Sequence, residues 1–322
     1  MMKNICIVGC GKIGQLHSRN LSKYTNLFFH SRSISSAEKL NHKFNGKGIF
    51  NEFDAVLKTD EIDAVVISSP PEFHKDQIIQ SLQSGKSTLV EKPMCIAETE
   101  IDAIEKMLEE TGDKAFLMIA ENYYYKPSLR KIKQLLKERH IGEIQSVLVK
   151  KEFEQVTTGW KSHYGALLEG GIHFIALISD IFDDTPEKIN AYFPDVEKRE
   201  MERYSITKLE YKNKALAQLT YSWNTKSLAR GVFQLSSIIG DKGKIIFESN
   251  GLFVYIISKS KKGLYLPDLH DAMGYSEMTK DFLACLNDRT RKPYSDFYKA
   301  KRDVTIIFQA YEHLNTCSKG QR

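Results

Sequence analysis

The sequence lacks the long apolar runs and the cysteine spacings that mark several classes of protein. No apolar run approaches the roughly 18 residues of a membrane span. The given sequence enters a strand-like run almost at once, so we expect no signal peptide. The five cysteines form no metal-type pairs, so we expect reduced thiols, a cytoplasmic protein and no metal site. Repeats, low-complexity segments and flexible linkers are also missing from the sequence.

A strong charge of one sign is missing as well. The formal net charge is +5, and acidic residues interleave with the basic ones throughout the chain. We therefore expect a solvated surface, with neither a nucleic acid nor a membrane as partner. A length of 322 residues fits two domains, and 42% hydrophobic residues is ordinary for a globular protein.

In the first part of the chain, short apolar runs alternate with amphipathic helical patterns. The predicted strands are Ile5–Val8, Leu27–His30, Ala64–Ser68, Thr88–Glu91 and Phe116–Ala120. The predicted helices are Ile13–Lys23, Ser35–Phe44, Lys75–Ser84 and Glu98–Glu110. This alternation predicts an α/β fold with a doubly wound parallel sheet, whose ligands bind at the carboxyl ends of the strands.

The texture of the sequence changes after Pro127. A predicted helix, Ser128–Arg139, precedes a mainly β region in which every second side chain of one run is apolar: Ala217, Leu219, Tyr221 and Trp223. Ser249-Asn250-Gly251 predicts a hairpin turn between Lys244–Phe247 and Leu252–Ile257. Three further helices are predicted, at Phe174–Phe182, Ser276–Asn287 and Phe297–Asn315.

These patterns predict two domains, at residues 1–122 and 123–322. The second would be built on a large, mainly antiparallel open sheet, and the C-terminal helix would pack back on the body of the protein. An open sheet with one apolar face needs a cover, from its own helices or from a second subunit. We therefore expect a homodimer or homotetramer formed through the open sheet.

A glycine-rich turn near the N-terminus is the motif around which the rest is arranged. The strand Ile5–Val8 enters the turn Gly9–Gly14, and a helical pattern follows. Glycines at this spacing permit a tight reversal, contact of bare backbone with a pyrophosphate, and close packing of helix on strand. The N–H groups and the dipole of the helix start would hold the phosphates. The predicted dinucleotide contacts are Gly9, Gly11, Lys12, Ile13 and Gly14.

The end of the second predicted strand bears on which dinucleotide binds. In NAD-binding folds of this kind, an acidic residue there accepts hydrogen bonds from the ribose hydroxyls. Residues 30–33 read His-Ser-Arg-Ser, with no acid. Hydroxyls and a guanidinium would instead hold a 2′-phosphate through charge-assisted hydrogen bonds. We therefore expect Ser31 and Arg32 to favour NADP(H), with NAD(H) as the alternative and ordinary loop residues as the non-functional interpretation.

Glu91-Lys92-Pro93 ends the strand Thr88–Glu91 at the carboxyl edge of the predicted sheet. The proline biases Lys92 to extended geometry and stops the strand. An ammonium held there would be close to a nicotinamide and could exchange a proton with a substrate oxygen. Without the glycine turn, a surface lysine at a strand end would be the preferred interpretation.

A second cluster, Glu169-Gly170-Gly171-Ile172-His173, leads into the apolar helix Phe174–Phe182. On a helix, Glu169 and His173 would lie on one face because they are four residues apart. The carboxylate could then orient the imidazole, leaving the other ring nitrogen to exchange a proton with a hydroxyl or carbonyl. The alternative is a buried histidine beside an acid. His163 and Tyr164, just upstream, are further pocket candidates.

In the order of these motifs the chain resembles the Gfo/Idh/MocA family of oxidoreductases. The residues that carry the resemblance are Gly9–Gly14, Ser69-Pro70-Pro71 with His74, Glu91-Lys92-Pro93, Trp160-Lys161, Glu169–His173 and Gly240–Gly243. The resemblance implies a Rossmann domain and an α/β domain, with hydride transfer at a sugar-like alcohol and Lys92 and His173 at the reacting oxygen. It also implies cofactor contacts from Ser69, Pro70, His74, Glu91 and Lys92, and substrate contacts from Lys92, Tyr124, Trp160, His163, Tyr164 and His173.

Two positions depart from the family pattern. Members often have Asp four residues before the histidine, where this chain has Glu169. Many have Arg in the segment where this chain has Tyr124, and a tyrosine can stack on a ring but cannot clamp an anion.

The sequence therefore predicts an NADP(H)-dependent oxidoreductase acting on a sugar, cyclitol or related polyol without a metal. In this interpretation His173 is the acid/base, Lys92 polarises the substrate oxygen and Glu169 orients His173. One alternative is a regulator that senses NADP(H) or a sugar without catalysis, which would not need Lys92 and His173. Another is a reductase or dehydrogenase of a non-sugar substrate, of the dihydrodiol or biliverdin type.

Overall fold

A computed structural model describes residues 2–194, 196 and 201–317, with the side chains of all of them except Trp160, Arg230 and residues 315–317. The chain divides into two compact units. The first comprises Met1–Glu121 and Tyr275–Lys301, and the second comprises Asn122–Gly274 and the residues from Arg302 onward. The division predicted at residue 122 left Tyr275–Lys301 with the second domain, because nothing local in that stretch marks its return to the first unit.

The first unit is built on a six-stranded parallel sheet with strand order β3-β2-β1-β4-β5-β6. Its strands are β1 Asn4–Val8, β2 Asn26–His30, β3 Gly48–Phe50, β4 Ala64–Ile67, β5 Ser87–Val90 and β6 Leu117–Ile119. Its first five helices are α1 Lys12–Leu21, α2 Ile34–Lys43, α3 Phe53–Lys58, α4 His74–Gln83 and α5 Glu98–Thr111. This is the predicted doubly wound sheet.

The predicted strands and helices of this unit agree with the structure to within two residues at each end. Apolar strand residues such as Ile5, Ile7 and Val66 are fully buried, which explains their clear signal. The prediction missed β3 and α3. β3 is only three residues long and none of its side chains is fully buried, so it has no continuous apolar run.

The second unit is built on an eight-stranded sheet with strand order β14-β13-β12-β11-β7-β10-β9-β8. Its strands are β7 Ile144–Glu152, β8 Lys188–Tyr192, β9 Tyr204–Glu210, β10 Leu216–Ser222, β11 Leu235–Gly240, β12 Gly243–Glu248, β13 Val254–Ser258 and β14 Lys262–Tyr265. Neighbouring strands are antiparallel except β7 and β10. Two helices, α6 Pro127–Lys137 and α7 Ile172–Phe182, pack on this sheet.

The alternation predicted for one run of this sheet is confirmed. Ala217, Leu219, Tyr221 and Trp223 are all buried, residues 218 and 220 between them are not, and Ser222, at the end of the strand, is buried as well. The predicted hairpin is also confirmed, since β12 pairs antiparallel with β13. The buried face carries α7, and the opposite face of the sheet is defined here as the outer face.

Two helices follow the sheet, α8 Tyr275–Asn287 and α9 Phe297–Cys317. Within the first unit, α8 packs on α1, and the ring of Phe282 lies 5.8 Å from that of Phe116. The Ile119 N–H donates to the Ser295 carbonyl at 2.9 Å, which ties the segment before α9 to β6. Among the residues that the structure describes, no helix combines the length and apolar character needed to cross a bilayer.

Candidate active site

The glycine turn joins β1 to α1 at the carboxyl edge of the first sheet. Gly9 has a φ of +96°, and its N–H donates to the His30 carbonyl at 2.9 Å. A Cβ on Gly14 would lie 2.0 Å from the Gly9 carbonyl oxygen, so no larger residue fits there. A Cβ on Gly11 would meet nothing within 4 Å, which leaves open space at the start of α1.

No side chain caps the start of α1 at Gly11. The first N–H groups of a helix have no intrahelical partner, and the helix dipole makes that end positive. Three features of the turn therefore fit a bound pyrophosphate. The first glycine has a positive φ, the second leaves open space for the phosphates, and the third lets α1 pack closely on the turn. Lys12 and Ile13, the first residues of α1, are exposed beside this space.

The loop after β2 presents hydroxyls and one cation. Ser31 is half-buried and Arg32 is exposed, with its guanidinium 4.8 Å from the centre of the Phe73 ring. Ser33 caps α2 by accepting the N–H of Ser36. The loop from His30 to Ser33 contains no carboxylate.

His74 is buried between two loops at the edge of the first sheet. The side chain is 1% exposed, and its ring nitrogens lie 2.8 Å from the Pro93 carbonyl and 2.9 Å from the Ser69 carbonyl. Burial lowers the pKa of His74, and these two backbone hydrogen bonds oppose that shift. Both nitrogens are taken up by backbone, so His74 joins the Ser69-Pro70 loop to the Lys92-Pro93 loop; its predicted cofactor contact stays a prediction.

Glu91-Lys92-Pro93 follows β5, as predicted. The Glu91 carboxylate lies 2.7 Å from Nε2 of His17, and both side chains are buried. His17 is on α1, directly after the glycine turn, and its ring meets that of Tyr275 edge-on. Glu91 thus connects the end of β5 to the helix that begins at the cofactor turn. Lys92, next to it, is half-buried.

In the second unit, His173 is the second residue of α7 and stacks on Tyr123. The two ring centres are 4.6 Å apart and the rings are 14° from parallel. Nζ of Lys126 lies 4.0 Å from the centre of the same Tyr123 ring. The Tyr123 ring thus contacts both the imidazole of His173 and the ammonium of Lys126. The plane of the His173 ring is set by this stack.

Glu169 precedes α7 in a π-helical turn, Leu167–Gly171. The continuous α-helix assumed for Glu169 and His173 is therefore wrong, because the chain widens to a π turn before α7 begins. A Cβ on Gly170 would lie 2.1 Å from the Tyr221 hydroxyl, which explains why this turn has a glycine there. The Glu169 side chain is buried, and one of its carboxylate oxygens lies 2.7 Å from Nζ of Lys161.

The other predicted substrate residues differ in exposure. His163 is exposed and Tyr164 is half-buried, at the end of the 3-10 turn Gly159–His163. Trp160 lies in the same turn, and its side chain is outside the described part of the structure. Tyr124 is 3% exposed; its hydroxyl donates to Asp303 and accepts from Arg302 at 3.2 Å. Tyr124 is thus part of a buried polar network.

Sequence reasoning missed His17, Lys126 and Tyr123. His17 is a titratable residue on the apolar face of α1, and that was a signal that could have identified it. Tyr123 and Lys126 flank the predicted substrate residue Tyr124, but the sequence favours no one tyrosine of the three at residues 123–125. Only the fold shows that Tyr123 is the one in contact with His173.

Both units match models of one protein family. Residues 3–119 match the model of an oxidoreductase family with an NAD-binding Rossmann fold, GFO_IDH_MocA. Residues 129–246 match the model of the GFO/IDH/MocA C-terminal domain. Together the two matches span most of the chain.

Curated relatives align with part of the chain. Trans-1,2-dihydrobenzene-1,2-diol dehydrogenase from Mus musculus is 26% identical over 166 residues, covering 50% of this chain and 49% of that protein. Glucose-6-phosphate 3-dehydrogenase from Bacillus subtilis is 28% identical over 195 residues, covering 56% and 54%. Inositol 2-dehydrogenase from Rhizobium meliloti is 26% identical over 148 residues, covering 44% and 43%. The chain spans about half the length of the curated relatives it matches.

Solved structures share the fold over nearly the whole chain. An oxidoreductase from Agrobacterium radiobacter, in complex with NAD+, L-tartaric acid and magnesium, superimposes with a TM-score of 0.87 at 15% identity, covering 97% of this chain and 96% of that one. A 3-ketoreductase from Actinomadura kijaniata, in complex with TDP-benzene and NADP, gives 0.80 at 20% identity, covering 96% of both chains. At these identities the likeness is one of fold.

Proposed function

Because the chain belongs to the Gfo/Idh/MocA oxidoreductase family, we propose that it transfers a hydride between NADP(H) and a secondary alcohol or carbonyl of a sugar, cyclitol or related polyol. Relatives that act on a sugar phosphate and on an inositol support this substrate class. The observation that carries the proposal is the pairing, in one chain, of an open glycine turn with Lys92 after β5 and His173 at the start of α7.

The first unit would bind the cofactor. The turn Gly9–Gly14 holds the pyrophosphate against the start of α1, and the Ser69-Pro70 loop, fixed by His74, borders the same edge of the sheet. When bound, the nicotinamide supplies or accepts the hydride. The half-buried ammonium of Lys92 polarises the substrate oxygen by a charge-assisted hydrogen bond.

The second unit would supply the proton acid/base. His173 exchanges a proton between a ring nitrogen and the substrate oxygen, and its stack on Tyr123 limits rotation of the imidazole. Glu169, whose carboxylate lies 2.7 Å from Nζ of Lys161, would orient His173. His163, Tyr164, Trp160 and Tyr124 would contact the rest of the substrate, with the Tyr124 hydroxyl held by Asp303.

NADP(H) is the preferred cofactor in this proposal. Ser31 and Arg32 offer two kinds of donor for a 2′-phosphate, and no carboxylate in the loop repels it. The guanidinium is supported on the Phe73 ring, so it is held near the loop while remaining exposed. Use of NAD(H) would be weaker for want of an acid to bind the ribose hydroxyls.

The proposal extends to assembly and location. We expect the outer face of the second sheet to join two copies of the chain in a homodimer or homotetramer, in the cytoplasm, with no metal required for the reaction. Exposed apolar side chains on that face support the assembly: Leu148, Leu216, Leu235, Ile239 and Leu264.

A cofactor-loaded activity screen tests the proposed reaction. Aldoses, inositols, sugar phosphates and a trans-dihydrodiol would each be offered with NADP+ and NAD+, because one group of relatives acts on a dihydrodiol. Lys92→Ala should lower kcat by about 1000-fold, since both polarisation and proton exchange are weakened. NADPH binding, followed by fluorescence, should remain measurable.

Lys58→Ala is the matched control, because Lys58 is an exposed lysine of the same unit that pairs only with Asp54 on its own helix. It should keep wild-type turnover. Wild-type turnover in Lys92→Ala would remove Lys92 from the mechanism. Binding of NADPH with no reaction on any compound of the panel would favour a sensor over an enzyme.

A further inference from the structure

A buried carboxylate that the mechanism does not use contacts the start of the helical segment that carries Glu169 and His173. Glu202 precedes β9 and is 2% exposed. Its Oε2 accepts the N–H of Ala166 at 2.6 Å, and its Oε1 accepts the N–H of Leu167 at 2.7 Å. Both distances are at the short end of the range for N–H···O hydrogen bonds.

Tyr311, on α9, completes this arrangement within the second unit. Its hydroxyl donates to Oε1 of Glu202 at 2.7 Å and accepts the N–H of Leu168 at 3.1 Å. Three consecutive N–H groups, at residues 166 to 168, are therefore satisfied by side chains. N–H groups at a helix start have no intrahelical partner, so these contacts fix where the helical segment begins.

The contact is too close for any side chain on the turn itself. A Cβ on Gly165 would lie 2.3 Å from Oε2 of Glu202 and 2.5 Å from the Tyr311 hydroxyl. The carboxylate and the hydroxyl thus occupy the space next to the backbone where the segment starts. Glu202 and Tyr311 are called the carboxylate clamp from here on.

The clamp is separated from His173 only by the π turn Leu167–Gly171. A shift of the segment start would be passed along this turn, because consecutive helical turns are joined by backbone hydrogen bonds. With Glu202 almost inaccessible to solvent, contact with substrate is not its role. We propose that the carboxylate clamp positions His173. By fixing where the helical segment begins, the clamp holds the His173 imidazole and the Glu169 carboxylate in the places that proton exchange requires. This inference rests on the function proposed for His173.

The variant that tests the clamp is Glu202→Gln, which keeps the size of the side chain. The amide oxygen of Gln can accept only one of the N–H groups of Ala166 and Leu167. The amide nitrogen, a donor, would face the other N–H group and cannot accept it. We expect kcat to fall about 10- to 100-fold, since a small misplacement of a catalytic group costs up to about 100-fold in rate. The Kd for NADPH should change less than about twofold, because the glycine turn is intact.

Tyr311→Phe is the second variant, and it removes only the hydroxyl. Its loss in kcat should be smaller, since the carboxylate still holds two of the three N–H groups. The double variant should lose less than the product of the two single losses, because both residues act on one segment. Fully multiplicative losses would overturn the shared role of the two residues.

Glu248→Gln is the matched control. Glu248 is a fully buried carboxylate of the same unit, and it also accepts backbone N–H groups, those of Asn250 at 2.8 Å and Leu252 at 3.2 Å. It serves the β12–β13 turn rather than the His173 segment. Glu248→Gln should destabilise the protein to a similar extent and keep kcat near the wild-type value. An equal loss of kcat in this control would show that lost stability, not position, explains the Glu202 result.

Hydrogen exchange tests the carboxylate clamp independently of the proposed function. In Glu202→Gln, the peptide covering residues 165–173 should exchange faster than in the wild type. Exchange in the strands of the second sheet should be unchanged. Unchanged exchange there, or unchanged kcat despite faster exchange, would overturn the positioning role. A wild-type protein inactive on every substrate would refute the proposed reaction, and the exchange result alone would then decide whether the clamp holds this segment.

Discussion

At the scale of single residues, Arg32 is the side chain on which cofactor choice turns. Its exposed guanidinium rests on Phe73 beside the hydroxyls of Ser31 and Ser33, at the end of a strand that carries no acid. A guanidinium can form two parallel hydrogen bonds to a phosphate, whereas a ribose hydroxyl offers it little. The same residue should therefore matter greatly for NADPH and little for NADH.

We predict that Arg32→Asp lowers kcat/KM for NADPH by about 100-fold or more, because it loses a charge-assisted pair and adds repulsion. The value for NADH should stay the same or rise, since a carboxylate there can accept the ribose hydroxyls. Steady-state kinetics with both cofactors measures the ratio. Arg19→Asp, at an exposed arginine late in α1, should leave the ratio unchanged. Equal losses with NADPH and NADH would contradict the proposed 2′-phosphate contact.

At the scale of secondary-structure elements, the clamp behind α7 has a pH dependence that can be measured. Burial raises the pKa of Glu202 to about 7, against the lowering effects of the Tyr311 hydroxyl, two backbone N–H groups and the charge of Arg203. The folded protein then holds a proton on Glu202 that the unfolded chain releases at lower pH. Protonation thus favours the folded state between the ordinary pKa of a glutamate and pH 7.

We predict that this group makes the free energy of unfolding fall as pH rises from about 4.5 to about 7, by on the order of 3 kcal/mol. Urea unfolding of the wild type and of Glu202→Gln across this range measures it. His74, whose pKa burial lowers, contributes with the opposite sign, but it is present in both proteins and cancels in their difference. Parallel curves for the two proteins would contradict the raised pKa.

Elements with a local signal could be predicted from the sequence. The strands of the first unit are apolar runs, the helices between them have a polar face, and β10 alternates from Leu216 to Tyr221, so each carries its own evidence. β3 carried none, because three residues without a fully buried side chain do not form a pattern, and α3 is only six residues long with one buried side chain, Val56. The glycine turn was predictable for the same local reason, since the spacing of its glycines is enough to indicate the backbone conformation of the turn.

The details of the candidate site depend on residues far apart in the sequence. Glu202 and Tyr311 meet residues 166–168 across 35 to 143 positions of chain, and nothing near any of them signals the contact. The spacing of Glu169 and His173 suggested one α-helix, but side-chain capping and the close approach of Tyr221 to Gly170 accompany a π turn there. Tertiary contacts of this kind override local spacing.

At the scale of the whole molecule, the outer face of the second sheet exposes apolar side chains in the part of the chain that the structure describes. Leu148 is 45% exposed and Leu216 is 54% exposed, on the adjacent strands β7 and β10. Ile239, on β11, pairs with Ser146 two residues from Leu148, so the three side chains share one face. Apolar side chains grouped on a sheet face are typical of surfaces that another protein covers. In a two-fold dimer, the outer face of one copy would pack on the outer face of the other.

We predict that the double variant Leu148→Lys, Ile239→Lys is monomeric at micromolar concentration, whereas the wild type is a dimer or tetramer. Each change occurs twice in a two-fold interface and buries an ammonium where a methyl-rich side chain was, so association should weaken by about 100-fold or more. Light scattering coupled to size exclusion gives the mass. Tyr24→Lys, at a residue 53% exposed in the first unit, removes similar apolar surface and should leave the mass unchanged. An oligomer that survives the double variant would place the interface on another face.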